Sequence, residues 1–360
     1  MQFAQIFTVP LYVDIFKVLL LGLIAFLTAL LWTPFLADFL YKHFKTKTKT
    51  QTISGEKAPI TKSLTKGKEG TPLMGGLLVW VTALFLGLLI LGLAKLFPQS
   101  FLNELTFFSR SQTWLPFFAL TATGIIGLFD DYYSTRGLGR NKGGGISFKF
   151  RLAWLFVIAL AGGLWFHFKL DYTDIHIPGF GDLEVGFLYI LYFILVIVAT
   201  AFSSNETDGL DGLNGGVLLF AFGAMSVIAF FTQRIDLAAF CSVLCGGLLA
   251  FLWFNIPPAR FFMGDTGAFS LGTTLGVVAM LTNASLVLPI IAFIYVVESA
   301  SVLIQMASKK WRGKKVFLAA PIHYHFRAKG WSEAKVVMRF WIVSAVMSVI
   351  GIIIGIFGSG

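Results

Sequence analysis

The chain has 360 residues, of which 57% are hydrophobic and only 13% charged. A soluble domain of ordinary usage is about 25% charged, so a mean hydropathy of +0.81 excludes a water-soluble globule. It indicates an all-α, polytopic integral membrane protein, because lipid offers no partner to open backbone groups. The net charge of +10 reads as a collar toward anionic headgroups, and no nucleic-acid partner is expected.

A spanning helix needs about 20 apolar residues. Such spans are expected at roughly 17–41, 73–97, 114–131, 149–168, 184–204, 213–232, 237–256, 266–284, 285–307 and 336–357. The break between the eighth and ninth rests on Asn283, Ala284 and Ser285. The first apolar stretch is too long for a cleavable signal. With the N-terminus outside, the inside loops hold 23 of the 28 lysines and arginines, the bias expected of cytoplasmic loops. About ten transmembrane helices would then form one membrane-embedded domain, residues 1–360, with both termini periplasmic. Residues 42–72, rich in Lys, Thr, Ser and Gly, are expected to be flexible. The glycine-rich stretch 134–147 reads as a mobile loop, and 170–186 as an external hairpin around Pro178-Gly179. Cys241 and Cys245, one helical turn apart in the seventh span, are expected to pack as small hydrophobes.

Short polar strings end these spans, and alternation of direction brings them to the cytoplasmic face. Carboxylates beside spans need a reason. Asp130 and Asp131 close the third span, and neighbours on a helix point about 100° apart, so one can face a metal and the other a substrate. Asp208 and Asp211 are three apart, which on a helical turn would place them on one face. Asp265 stands between small residues at the mouth of the eighth span. Acids converging among lysines suit a Mg²⁺-bridged phosphate site, since Mg²⁺ takes hard oxygen ligands and uses few carboxylates beside substrate phosphates. The bland alternative is that they pair with loop lysines or cap helices. His323 and His325, in a basic loop or re-entrant segment, suit phosphate contact or proton transfer, or are surface histidines. Glu298, deep in the ninth span, reads first as a packing acid and second as a relay.

Phe129-Asp130-Asp131, the string Asn205-Glu206-Thr207-Asp208-Gly209-Leu210-Asp211-Gly212, Phe262-Met263-Gly264-Asp265 and Pro321-Ile322-His323-Tyr324-His325-Phe326 resemble the MraY family. These are the phospho-N-acetylmuramoyl-pentapeptide transferases, within the polyprenyl-phosphate sugar-phosphate transferases. Thr71-Pro72-Leu73-Met74 and Lys329-Gly330-Trp331 extend the match. The resemblance implies ten spans, a homodimer and Mg²⁺. It implies transfer of phospho-MurNAc-pentapeptide from its UDP carrier to undecaprenyl phosphate, giving lipid I and UMP at the bacterial inner membrane. By motif position it implies Asp265 as metal ligand, Asp130 and Asp131 at the catalytic centre with Asp130 as base, and Asp208 beside them. Asn205, Asp211, Phe262 and Lys68 would line the nucleotide pocket, with His323 near the phosphates. His325, Lys149 and Arg151 complete the expected substrate contacts.

The chain departs from the family pattern at Ser134, where a Lys is common, at Tyr324, the middle of a usual His triple, and at Phe202, where an Asn is frequent. Arg136, Arg140 or Lys142 could stand in for the missing Lys. Two other readings remain open on sequence alone: a sister transferase using UDP-GlcNAc or a similar sugar nucleotide, and a transporter using the acids as ion sites. Against the second, the acids stand at span ends rather than at the midplane, where transporter sites sit.

Overall fold

Each apolar run winds into a helix, which satisfies its backbone groups internally. The computed structural model describes residues 9–45, 70–110, 112–138 and 145–358. In chain order they form α1 (Val9–His43), α2 (Leu77–Leu96), α3 (Trp114–Arg136), α4 (Phe148–Lys169), β1 (Asp174–Ile177), β2 (Gly181–Glu184), α5 (Leu188–Thr207), α6 (Leu213–Phe231), α7 (Ile235–Asn255), α8 (Gly264–Leu281), the one-turn α9 (Leu288–Ile291), α10 (Phe293–Arg312), the short α11 (Ile322–Ala328) and α12 (Glu333–Phe357). Seven of these, α1, α2, α4, α5, α6, α7 and α12, hold stretches long and apolar enough to cross a membrane. The chain is a mostly helical, polytopic membrane protein. The other three expected spans, α3, α8 and α10, are helices too, but their acids, hydroxyls and basic residues lower their hydropathy.

Several boundaries move. The third helix runs past its acids to Arg136, so Ser134 is helical rather than part of a loop. Gly137 stops it in the left-handed region at φ 69°, which glycine adopts without penalty. The eighth and ninth spans are separate helices: Asn283 turns at φ 55° and α9 intervenes. The expected flexibility of 42–72 concerns residues 46–69, which lie outside the described residues; at its edges Lys45 pairs with Pro72. Residues 139–144 of the expected mobile loop also lie outside them.

The centre of the bundle is α8. Every residue in it except Asp265 is buried, and α3 and α5 pack along it. Small residues permit that approach, as at close helix contacts in membranes. A Cβ on Gly76 would collide with the backbone of Gly267, and one on Gly272 would lie 2.8 Å from the Thr200 carbonyl oxygen. On the other side α7 meets α1, where Lys17 reaches Asp236 at 2.7 Å in a mostly buried ion pair.

The expected hairpin is present. β1 pairs antiparallel with β2, from Asp174 opposite Glu184 to Ile177 opposite Gly181. Its His176 bonds to the Asp182 carboxylate through Nδ1 at 2.6 Å and to the Gly358 carbonyl, beyond α12, through Nε2 at 2.9 Å. Two acceptors require both ring nitrogens to donate, so the doubly protonated ring fits. Burial alone lowers the His176 pKa, but the Asp182 and Gly358 bonds outweigh it and raise it above 6.5. The stabilisation is therefore complete below pH 6.5 and is lost as pH rises through the raised value. Protection of the 174–184 amides, taken relative to their intrinsic exchange at each pH, is expected to be greater at pH 5.5 than at pH 8.5. His176→Ala should show the lower protection at both; a wild-type protection indifferent to pH would remove the role given to this contact.

Candidate active site

Four helix termini meet at one end of the bundle: the last turns of α3 and α5 and the first turns of α4 and α8. Asp131 is turned into the start of α8. Its Oδ1 accepts the Asp265 N–H at 3.1 Å and its Oδ2 the Thr266 N–H at 3.0 Å, so it satisfies two of the amides a helix start leaves open and meets the positive end of the helix dipole. Asp208, at the C-cap of α5, accepts the Gly264 N–H through Oδ2 at 3.1 Å. Gly264 itself sits at φ 72°, and a side chain there would run into Asp131. The two acids thus seat the Gly264–Thr266 backbone and present Asp265.

The Asp265 carboxylate projects from that seat. Asn205 Nδ2 donates to its Oδ1 at 2.6 Å and Arg151 Nη1 to its Oδ2 at 2.8 Å. The same Arg151 nitrogen donates to Asp130 Oδ2 at 3.0 Å, while Asp130 Oδ1 accepts the Ile146 N–H. One guanidinium nitrogen spans carboxylates from α3 and α8. Burial first, then the Asp265 and Asp131 carboxylates, push the Asp208 pKa up to about 8. The cluster therefore holds more negative charge than its neighbourhood solvates easily.

That charge bears on a metal. Among the described residues no three Asp, Glu, His or Cys side chains converge as a ready-made metal cage. Mg²⁺ does not need one, since it is commonly held by one or two carboxylates with substrate phosphates and water. The hard oxygens of Asp265 and Asp130, already joined by one cation, fit that chemistry.

Apolar surface adjoins these acids. A cavity of about 830 Å³ lies between α3 and α4, lined among others by Phe118, Ile125, Phe129, Phe150 and Trp154, and it reaches Gly145 and Ile146, whose backbone holds Asp130.

Comparison with known proteins decides the family. Residues 113–283 match Glycosyl transferase family 4. Over 305 residues, 79% of this chain and 80% of the relative, the chain is 38% identical to the phospho-N-acetylmuramoyl-pentapeptide-transferase of Dinoroseobacter shibae. The proteins of that name from a Ruegeria species and from Pelagibacter ubique are 38% and 35% identical over the same shares. The chain belongs to the phospho-N-acetylmuramoyl-pentapeptide transferase family. It is a phosphotransferase.

The transferase-family motifs do not all fall in one place. Asp130, Asp131, Asn205, Asp208, Asp265 and Arg151 meet as described. Phe262 holds the loop before α2, donating its N–H to Pro72 O at 2.9 Å and accepting the Gly75 N–H at 2.8 Å. Asp211 lies in the turn before α6, not on a helical face shared with Asp208, and its Oδ2 accepts the Ala259 N–H at 3.1 Å. Lys149 is exposed in the first turn of α4, and Lys68 lies outside the described residues, as do Arg140 and Lys142. Arg136 is exposed and lies over the Tyr132 ring; the cation on Asp130 is Arg151, from the next helix.

The histidine string forms α11, not a loop. His323 is fully buried and bonds to Glu298 at 3.0 Å. Tyr324 donates to the Gly209 carbonyl at 3.1 Å. His325 Nδ1 accepts the Leu318 N–H at 3.1 Å, a role for the neutral ring; burial, then Lys329, lower its pKa. Sequence reasoning passed over Glu206, whose carboxylate accepts from Ser299 at 2.7 Å, and Asn214, which takes the Tyr295 hydroxyl at 2.7 Å. Glu206 lies inside the 205–212 string, so its position was the available signal.

Proposed function

We propose that this enzyme transfers phospho-MurNAc-pentapeptide from UDP-MurNAc-pentapeptide to undecaprenyl phosphate, giving lipid I and UMP for peptidoglycan synthesis, with Mg²⁺. It works as one ten-span domain with both termini periplasmic, as a homodimer in the bacterial inner membrane, and its acids face the cytoplasm. The observation that carries this reading is the Asp130–Arg151–Asp265 bridge at the end of an apolar cavity. A lipid phosphate acceptor needs both features side by side, with its chain along the cavity and its phosphate at the acids.

In the transfer, an oxygen of undecaprenyl phosphate attacks the phosphorus next to the sugar, and UMP leaves with the other. Asp130 takes the proton of the attacking phosphate. Arg151 and Lys149 offset the repulsion between the two anionic substrates, and positioning with charge neutralisation supplies most of the catalysis in such transfers. Asp131 and Asp208 hold the Asp265 backbone. Asn205, Asp211, Phe262, Lys68 and His325 bound the nucleotide side, and His323 lies toward the phosphates. Asp265 is the principal ligand of Mg²⁺, which when bound neutralises charge on the pyrophosphate.

The test is UMP release by purified protein with undecaprenyl phosphate and Mg²⁺, offering UDP-MurNAc-pentapeptide or UDP-GlcNAc. Release with the first alone, abolished by chelation and restored by Mg²⁺, is the expected result. Release with UDP-GlcNAc alone would move the enzyme to the sister branch.

A further inference from the structure

Glu298 and His323 are both fully buried, on α10 and α11. His323 Nδ1 lies 3.0 Å from Glu298 Oε2. Neither Glu298 Oε1 nor His323 Nε2 has a hydrogen-bond partner. Buried polar atoms are nearly always paired, so an acid and an imidazole each with one open atom call for an account beyond packing.

The direction of the open nitrogen supplies it. A Cβ on Gly209 would collide with His323 Nε2, and would stand 2.9 Å from Cε1 of the same ring. Gly209 follows Asp208, whose carboxylate seats the Gly264 amide beside Asp265. The imidazole therefore packs its unsatisfied edge against the backbone beside the acid cluster, at a residue whose lack of a side chain permits that approach. An ionised carboxylate only accepts. Opposite Glu298 the neutral ring must donate from Nδ1, which leaves Nε2 bare. Without Glu298 either tautomer would serve, and the ring could rotate. Tyr324 closes the other side through its bond to Gly209 O at 3.1 Å.

We infer that Glu298 is a positioning residue, holding His323 in the Nδ1–H tautomer with Nε2 set against the Asp208–Gly209 backbone, so that the ring fixes the turn that carries Asp208. The kinetic part rests on the transferase reading above; the tautomer does not. Carboxylates that orient a working imidazole in this way typically influence activity by about 10- to 100-fold.

Two measurements separate the failures. The first is the ¹⁵N spectrum of histidine-labelled full-length protein in nanodiscs, with His323, one of five histidines, assigned by its loss in His323→Ala. A bare Nε2 in wild type, with mixed tautomers in Glu298→Ala, is expected and needs no substrate. The same tautomer in both would overturn the inference. The second is UMP release in a double-mutant cycle. Glu298→Ala should lower kcat about 10- to 100-fold with KM for the sugar nucleotide nearly unchanged, and Glu298→Gln should recover much of it. In a His323→Ala background, Glu298→Ala should cost nothing more, because the two act as one unit. An equal loss in both backgrounds would show that Glu298 does not act through His323. If wild type releases UMP from neither sugar nucleotide, the transferase reading fails, and the spectrum still decides the tautomer. Should Glu298→Ala not fold, Glu298→Leu, close in volume and unable to accept a hydrogen bond, takes its place in the spectrum and in the cycle with the same outcomes.

Discussion

Asp265→Asn is expected to cut UMP release by about a hundred- to a thousandfold, judged from the loss when one preorganised charge-stabilising group is removed. It should leave the fold intact or firmer. The amide keeps the size of the carboxylate and an oxygen for Asn205 or Arg151. It removes one negative charge from a cluster in which burial, and then the Asp265 and Asp131 carboxylates, push the Asp208 pKa up to about 8. Active sites commonly trade stability for such strained charge. The checks are single-turnover UMP release and a thermal melt in the same detergent. A variant with turnover within tenfold of wild type would take Asp265 out of the proposed metal site.

Gly127→Ala is the second large effect, and it reaches the site through backbone. Gly127 lies one helical turn before Asp130 on α3, against the start of α8. Its Cβ would collide with the Asp265 carbonyl and stand 2.6 Å from the Thr266 nitrogen. Backbone cannot rotate aside, so α3 must move off α8, at an overpacking cost of about 1–3 kcal/mol. The movement separates Asp130 from Asp265, and a displacement near 1 Å can cost about 10²-fold in rate. A lowered melting temperature and a kcat reduced about 100-fold are expected together. Gly92→Ala is the control: its Cβ meets nothing within 4 Å, and both quantities should hold. Equal behaviour of the two variants would mean that α3 and α8 do not need to touch so closely.

Much of this was readable from sequence for one physical reason: a carboxylate ending an apolar span is costly, so Asp130, Asp131, Asp208 and Asp265 stand out before any fold is known. Alternating spans then bring them to one end, and the long helices follow the apolar runs, while the short α9 and α11 do not. Division of labour was not readable. Two adjacent acids do not reveal that Asp131 caps α8 while Asp130 faces Arg151, because that depends on how α3 is rotated against α8. Arg151 as the cation on both Asp130 and Asp265 depends on the start of α4, beyond a glycine-rich connection whose path composition does not give. The Glu298–His323 pair joins residues 25 apart across a helix break and a turn. Glu298 by itself reads as a packing acid, and only its partner distinguishes it.

The wholly enclosed position of α8 has a consequence for how the protein is made. Asp265, Thr266, Ser270, Thr273 and Thr274 leave this helix too polar to leave the insertion channel for lipid by hydropathy alone, and buried hydroxyls and acids are tolerated at membrane depth only against other protein. The solvent for α8 is therefore α3 and α5, both synthesised earlier. Its entry into the bilayer is a docking step onto helices already present, so the order of synthesis places the acid-bearing helix into a vestibule whose opposing acids, Asp130, Asp131 and Asp208, have arrived first.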